Sequence, residues 1–158
     1  MTIEWRYTVE QELGILSVCG YLGPDAVHRF AGAIGWVIQR GSGPVIVDLA
    51  ELGSWSAEGQ LAITEAARRL AAAGRSLELA AIPADGSLVP DADCPPIPGH
   101  SDLAGALAAH STRHGEPTQG RHEWRTTGWR AQTTHRSESA GVSRGRRRRR
   151  RPVRGRRC

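Results

Sequence analysis

Pro44-Val45-Ile46-Val47-Asp48-Leu49 is a short, continuous apolar run, and Ala50-Glu51-Leu52-Gly53-Ser54-Trp55-Ser56 follows it as a polar, irregular segment that reads as a turn. An uninterrupted run of this length fits a strand buried on both faces, as in parallel sheets under helical cover. Beyond the turn, Ile63, Ala66, Ala67, Leu70 and Ala73 recur at helical spacing, which predicts a helix over 57–73. Ser56 stands where an N-cap belongs, and Glu58 suits the positive end of the helix dipole. Glu65 is placed to pair with Arg68 or Arg69 on the outer face, and Gly74 suits a left-handed C-cap. Leu77 to Ile82 reads as the next strand, closed by Pro83.

Upstream, Ile3, Trp5, Tyr7 and Val9 alternate with Glu4, Arg6 and Thr8, the pattern of a half-buried strand. Glu10-Gln11-Glu12 is a polar break, and Ile15 to Cys19 reads as a second strand, antiparallel to the first. Residues 25–40 carry Val27, Phe30, Ala31, Ile34, Val37 and Ile38 at helical spacing, with Trp36 at the border of the stripe. Pro24 and Asp25 mark the start of that helix, and Arg40-Gly41 its stop. Downstream, 84–99 is loop-like, and Ser101 is placed to cap a short helix through Leu103, Ala106 and Leu107. The order is β-β-α-β-α-β-loop-α, which implies an α/β fold with a mixed β-sheet covered by helices.

The pattern fails after His110. Residues 1–112 hold six Arg against 13 Asp and Glu, net −7, whereas residues 113–158 hold 15 Arg against three Glu, net +12. All 21 cations are Arg, a coding bias that points to a GC-rich genome. Ten of the last 15 residues are Arg, and such a run repels itself and builds no core. The expected organisation is therefore a domain over 1–112 and a disordered Arg-rich tail over 113–158. The tail suggests nonspecific nucleic-acid or polyanion binding through Arg146, Arg147, Arg148, Arg149, Arg150 and Arg151, with Trp124 and Trp129 available to stack on bases. Out-of-frame translation of GC-rich DNA yields the same composition.

Glu4 and Arg6 interrupt the N-terminus, so no secretory leader is read there. No stretch approaches the roughly 20 apolar residues of a spanning helix. Cys19, Cys94 and Cys158 form neither a disulfide framework nor a thiol metal site, so a cytoplasmic, reducing setting is expected.

Few residues offer chemistry. Gly41-Ser42-Gly43 precedes a strand, not a helix, and reads as a turn rather than a phosphate loop. A chain without Lys supplies no Walker lysine. His110 and His114, four apart, with Cys94, make a weak metal candidate that lacks zinc spacing. His28 reads as structural, and Asp48 as an acceptor for the following turn. With no nucleophile–base pair in view, neither an enzyme, a cofactor, a metal nor a small-molecule substrate is expected. Trp55, between strand and helix, is either an exposed protein-contact anchor or folded back on the core.

These residues carry a resemblance. Val45–Ile82 resembles the STAS domain of bacterial anti-sigma factor antagonists, in which a strand ends in Asn/Asp-Leu and a loop leads to Asp-Ser-Ser-Gly at a helix start. Asp48-Leu49 matches the pair, Leu52 the loop's apolar residue, and Ser56-Ala57-Glu58-Gly59 occupies the Asp-Ser-Ser-Gly position. Gly20 and Gly74 match further glycines of the family. The resemblance covers roughly 3–112 and implies a STAS-like fold and docking on an anti-sigma factor of the serine-kinase type. It assigns the partner contact to Ser54, Trp55, Ser56, Ala57, Glu58 and Leu61. The family's phosphoacceptor position falls on Ala57, which has no hydroxyl, so the resemblance implies a transcription regulator without the usual phosphoserine switch.

Overall fold

The computed structural model describes residues 2–84, 86, 88, 92–112 and 121–125. The chain order is β1 (Ile3–Glu10), β2 (Leu13–Leu22), a 3₁₀ turn (Pro24–Ala26), α1 (Val27–Ile38), β3 (Val45–Trp55), α2 (Ala57–Ala72), β4 (Leu77–Ala80), β5 (Gly99–His100), α3 (Leu103–Ser111) and β6 (Arg121–Arg125). Six strands form one sheet in the order β5-β4-β3-β2-β1-β6. β1 pairs antiparallel with β2 and β6, while β2, β3, β4 and β5 run parallel. The fold is the helix-covered mixed sheet that the alternation of elements implies.

Strand alternation divides the core. Tyr7, Leu16, Val18, Val45, Val47 and Leu79 meet Phe30, Ile34 and Val37 of α1 and Ile63, Ala67 and Leu70 of α2 in the main cluster. Ile46, between Val45 and Val47, points the other way and joins Leu13, Ala80 and Ala106 under α3.

The segment 50–56, read above as a turn, is strand as far as Trp55. Between Ser17 and Tyr21 of β2, the facing β3 advances from Asp48 to Ser54, with two register shifts. Leu49, Leu52 and Trp55 are three apart, a spacing that in a flat strand would put neighbours on opposite faces. The bulges turn all three into the same core. β4 stops at Ala80 rather than Ile82, because Ala81 takes a left-handed φ of 56°. The first helix begins as a 3₁₀ turn and becomes α-helical at Val27. Asp102, not Ser101, caps α3, its Oδ1 accepting the Gly105 N–H at 2.6 Å.

A second correction concerns the segment assigned to the disordered tail. Residues 121–125 form β6, an edge strand that pairs Tyr7 with Trp124. Trp124 stacks on Tyr7 with centroids 5.9 Å apart and meets Trp36 edge-on at 5.2 Å. Trp5 joins the cluster 5.7 Å from Trp36, and the Arg40 guanidinium lies 3.5 Å over the Trp36 ring. Trp124 is thus spent on the body rather than on bases. Trp129, His114 and Arg146 to Arg151 lie outside the described residues.

Buried Arg75 closes the end of the molecule near the α1 C-terminus. Its Nε donates to the Gly43 carbonyl at 2.6 Å, Nη1 to the Val37 carbonyl at 2.7 Å, and Nη2 to the Tyr7 hydroxyl at 3.3 Å. The Tyr7 hydroxyl in turn donates to the Arg40 carbonyl at 2.9 Å. No carboxylate is among these acceptors. The Val37 carbonyl, at the negative end of the α1 dipole, takes part of that role, and the Gly43 carbonyl and Tyr7 hydroxyl the rest.

Two stability outcomes follow. Removing residues 113–158 uncovers Tyr7 and Trp36 and should lower stability by about 2–4 kcal/mol, the scale of one aromatic's burial and its ring pairing. Ending the chain at Arg125 instead should leave the urea midpoint near that of the full chain, and equal midpoints for the two truncations would refute the role of β6. Arg75→Met strands the Val37 and Gly43 carbonyls and should cost about 3 kcal/mol in the same assay.

Candidate functional site

The junction between β3 and α2 is built from the end of β2. The Ser56 N–H donates to the Leu22 carbonyl at 3.0 Å, which ties the first residue before α2 to the sheet. Gly59 packs against the same carbonyl, and a Cβ there would collide with the Leu22 oxygen, so only glycine allows the approach. The Ser56 side chain caps the helix as expected, its Oγ accepting the Gly59 N–H at 3.2 Å. That hydroxyl and the backbone N–H of Glu58 hold the Glu58 carboxyl below the usual carboxylate range. Glu58 therefore remains an anion in the first turn, where the helix dipole favours one.

The residues singled out by the resemblance separate into three groups. Ala57 and Glu58 are exposed in the first turn of α2, and Leu61 follows one turn later, 62% exposed and the one large apolar side chain so exposed among the described residues. Ser54 and Ser56 are half-buried. Trp55 is 8% exposed and belongs to the main core, so of its two readings the structure takes the one folded back on the core. Its indole Nε1–H has no hydrogen-bond partner among the described residues, and a Cβ on Gly86 would come within 2.8 Å of the ring.

Beside Leu61 lies an apolar groove of about 330 Å³ between the helices, which the sequence reading missed. Val27, Ala31 and Ile34 of α1 and Leu61, Ala62 and Ala66 of α2 line it, with Glu58, Glu65 and Arg69 around them. Arg69 crosses between the helices, donating from Nη1 to the Ala31 carbonyl at 3.0 Å. The available signal was Leu61 itself, off the inner stripe of an otherwise polar outer face.

The other chemical candidates lie apart, each in its own local surroundings. Asp48 Oδ1 accepts the Ala50 N–H at 3.1 Å, and the Ser17 hydroxyl approaches Oδ2 at 3.5 Å. His28 is exposed. Burial pushes the Cys19 thiol up, a backbone hydrogen bond at Glu4 opposes it, and the charges of Glu4 and Glu51 add to it, so it remains a thiol at neutral pH. His110 and Cys94 are not neighbours. Cys94 packs on the main core, whereas His110, on α3, directs its Nε2 at Glu78 Oε1, 3.0 Å away. His100 reaches the other oxygen of Glu78 at 2.7 Å. Glu78, inside the apolar strand Leu77–Ala80, is the buried carboxylate that joins β4, β5 and α3. Its position between Leu77 and Leu79 was the signal for such a partner. Among the described residues no group of three or more His, Cys, Asp or Glu could hold a metal ion, and no helix is long and apolar enough to cross a membrane.

No protein-family model matches the chain, and no curated protein matches it. Among solved structures it is similar to the anti-sigma factor antagonist SpoIIAA in its unphosphorylated form, at 18% identity and a TM-score of 0.46, covering 66% of this chain and 93% of that one. It is also similar to part of Mglu, at 22% identity and a TM-score of 0.42, covering 46% of this chain. The match spans 18% of Mglu. Both likenesses concern the fold alone.

The cap and the Glu58 carboxyl are coupled through one hydroxyl. Ser56→Ala should return the Glu58 carboxyl toward its ordinary titration range and cost about 1 kcal/mol of stability. Because the folded-state value is depressed, the stabilising contribution of Glu58 is present above the ordinary Glu range and is lost as pH falls through the folded value. Carboxyl-carbon NMR titration of wild type and S56A checks it: identical Glu58 curves would refute the coupling.

Proposed function

We propose that this chain is a non-enzymatic protein-binding module that docks on an anti-sigma factor through the start of α2, with Ala57, Glu58 and Leu61 as the exposed contacts and Ser54 and Ser56 behind them. The observation that carries the reading is the exposed first turn of α2, held to β2 by Leu22 and bearing Ala57 where the resembled family carries its phosphoserine. The Asp48-Leu49 pair on β3 and the Ser56–Gly59 segment at the helix start keep the family's order along the chain. A rigid, capped helix end with an exposed leucine is a surface suited to a protein partner.

Regulation follows from Ala57. Without a hydroxyl there, the kinase activity of such a partner has no acceptor, and the neighbouring Ser56 oxygen is occupied with the Gly59 amide. Glu58 already places one negative charge in this turn. Docking is then not reversed by ATP, and the module acts as a constitutive antagonist in a bacterial cytoplasm. Polyanion binding through Arg146–Arg151 is the second reading. It rests on the net charge of +12 over 113–158 alone.

The test pairs binding with phosphorylation. Titration calorimetry against serine-kinase anti-sigma factors should give complexes that ATP leaves intact, with no phosphate on the wild-type chain by mass spectrometry. Ala57→Ser should create an acceptor and make binding ATP-sensitive, and Ala57→Asp should weaken docking about tenfold or more. Stoichiometric phosphate on Ser54 or Ser56 with release of the partner would overturn the constitutive reading.

A further inference from the structure

β6 covers an edge that β1 would otherwise leave open. Residues Arg6–Glu10 pair with β2 on one side and with Arg121–Arg125 on the other, so the outward N–H and C=O groups of that stretch have β6 as their ladder partner. An aromatic socket lies along the same edge. Tyr7 is fully buried, and Trp36 of α1 stands T-shaped to it at 6.2 Å. Trp124 stacks on the first ring and meets the second edge-on. Glu123, which alternates to the other face of the sheet, is exposed. The strand is short, five residues against the ten of β2. Its gain from seating one ring is set against the backbone entropy of ordering those five residues, and the two are of similar size. Nine residues separate Ser111 from Arg121. Extended, they reach about 30 Å, enough for β6 to leave the edge while α3 keeps its place.

We propose that the β1 edge is a strand-docking site for a partner protein, with β6 as its built-in competitor: when β6 leaves, an extended segment of the partner pairs with Arg6–Glu10 and sets an aromatic ring on Tyr7 and Trp36. The seated strand states the chemistry of the occupant. The segment is extended, because the groups it satisfies form a ladder edge. It carries an aromatic residue opposite Tyr7, because the socket holds a ring at that register position. The residues on either side of that aromatic point to the other face of the sheet, so the site reads one side chain and a backbone. A helix satisfies none of the edge groups, and a nucleic acid brings no peptide ladder. Ala57, Glu58 and Leu61 take no part, so the inference stands apart from the docking reading above.

The probe is a fluorescein-labelled peptide with the sequence of residues 119–127, titrated into the full chain and followed by anisotropy. In the full chain, Trp124→Ala together with Trp129→Ala empties the socket and leaves no tryptophan after α3 to refill it. The wild-type chain should bind the peptide weakly, and the double variant about tenfold more tightly or better. The same peptide with alanine in place of its tryptophan has the same charge and should not bind, which separates docking from charge attraction. Two further peptides, N-methylated at alternate residues along one edge or along the other, should differ, because a ladder uses one edge of the incoming strand.

Equal affinity of the wild-type chain and the double variant, equal binding of the alanine peptide, or equal binding of the two N-methylated peptides would overturn the proposal. So would a wild-type dimer that the double substitution dissolves, which would make a second copy the occupant. Because the variant gives up a packed ring, hydrogen exchange on the unaltered full chain supplies an independent reading. The amides of Glu123 to Arg125 should exchange about tenfold faster or more than those in the middle of β2 and β3, through an opening of β6 alone. Exchange of β6 at the rate of those central strands would mean that it leaves only when the whole domain unfolds, and the docking site would fall with it.

Discussion

Between Ser17 and Tyr21 of β2, the neighbouring β3 spends two more residues than its partner to cover the same length of sheet. Those bulges rotate the strand so that Leu49, Leu52 and Trp55 all reach the main core, and they carry Trp55 to the level of Leu22. Everything at the start of α2 depends on that arrival. The Leu22 carbonyl meets the Ser56 amide, Gly59 settles against the same oxygen, and the helix leaves the sheet from a fixed point. A straight β3 would deliver one of its three apolar residues to the wrong face and set α2 elsewhere.

Two buried polar groups secure the two faces of the sheet in different ways. On the α1–α2 face, Arg75 is a cation satisfied by carbonyl and hydroxyl oxygens, and it joins the segment after α2 to the C-terminal end of α1, to Gly43 and to β1. On the α3 face, Glu78 takes an imidazole on each oxygen and joins β4 to β5 and α3. Each places a charge where leaving it unpaired would be costly, and each thereby specifies which elements lie together. The apolar cluster under α3 is small, so Glu78 and its two histidines contribute much of what positions that helix.

The surface near Leu61 combines a rigid backbone with an incompletely filled groove. Its rigidity comes from the Ser56 cap and the Leu22 contact, and the groove from alanines at the α1–α2 contact. These have separate causes, so a substitution in the exposed first turn of α2 leaves the trough beside it undisturbed.

Local periodicity alone determined much of this protein. The alternation of Ile3, Trp5, Tyr7 and Val9, the helical spacing in α1 and α2, the Ser56 cap and the glycine after α2 all depend on a few neighbouring residues. They are legible because side-chain direction within one element follows from backbone geometry. Gly74 indeed takes a positive φ, of 73°. What tertiary structure decided involves pairs far apart in the chain. Leu49, Leu52 and Trp55 follow no strand period until β2 imposes the bulges. Residues 121–125 carry no pattern of their own and become a strand only because β1 offers an unpaired edge beside Tyr7 and Trp36. His110 has no chosen partner until the sheet brings Glu78 beneath it, and the groove beside Leu61 exists only where two helices meet. Such features arise from contacts whose energy depends on distance in space, and sequence spacing carries no record of them.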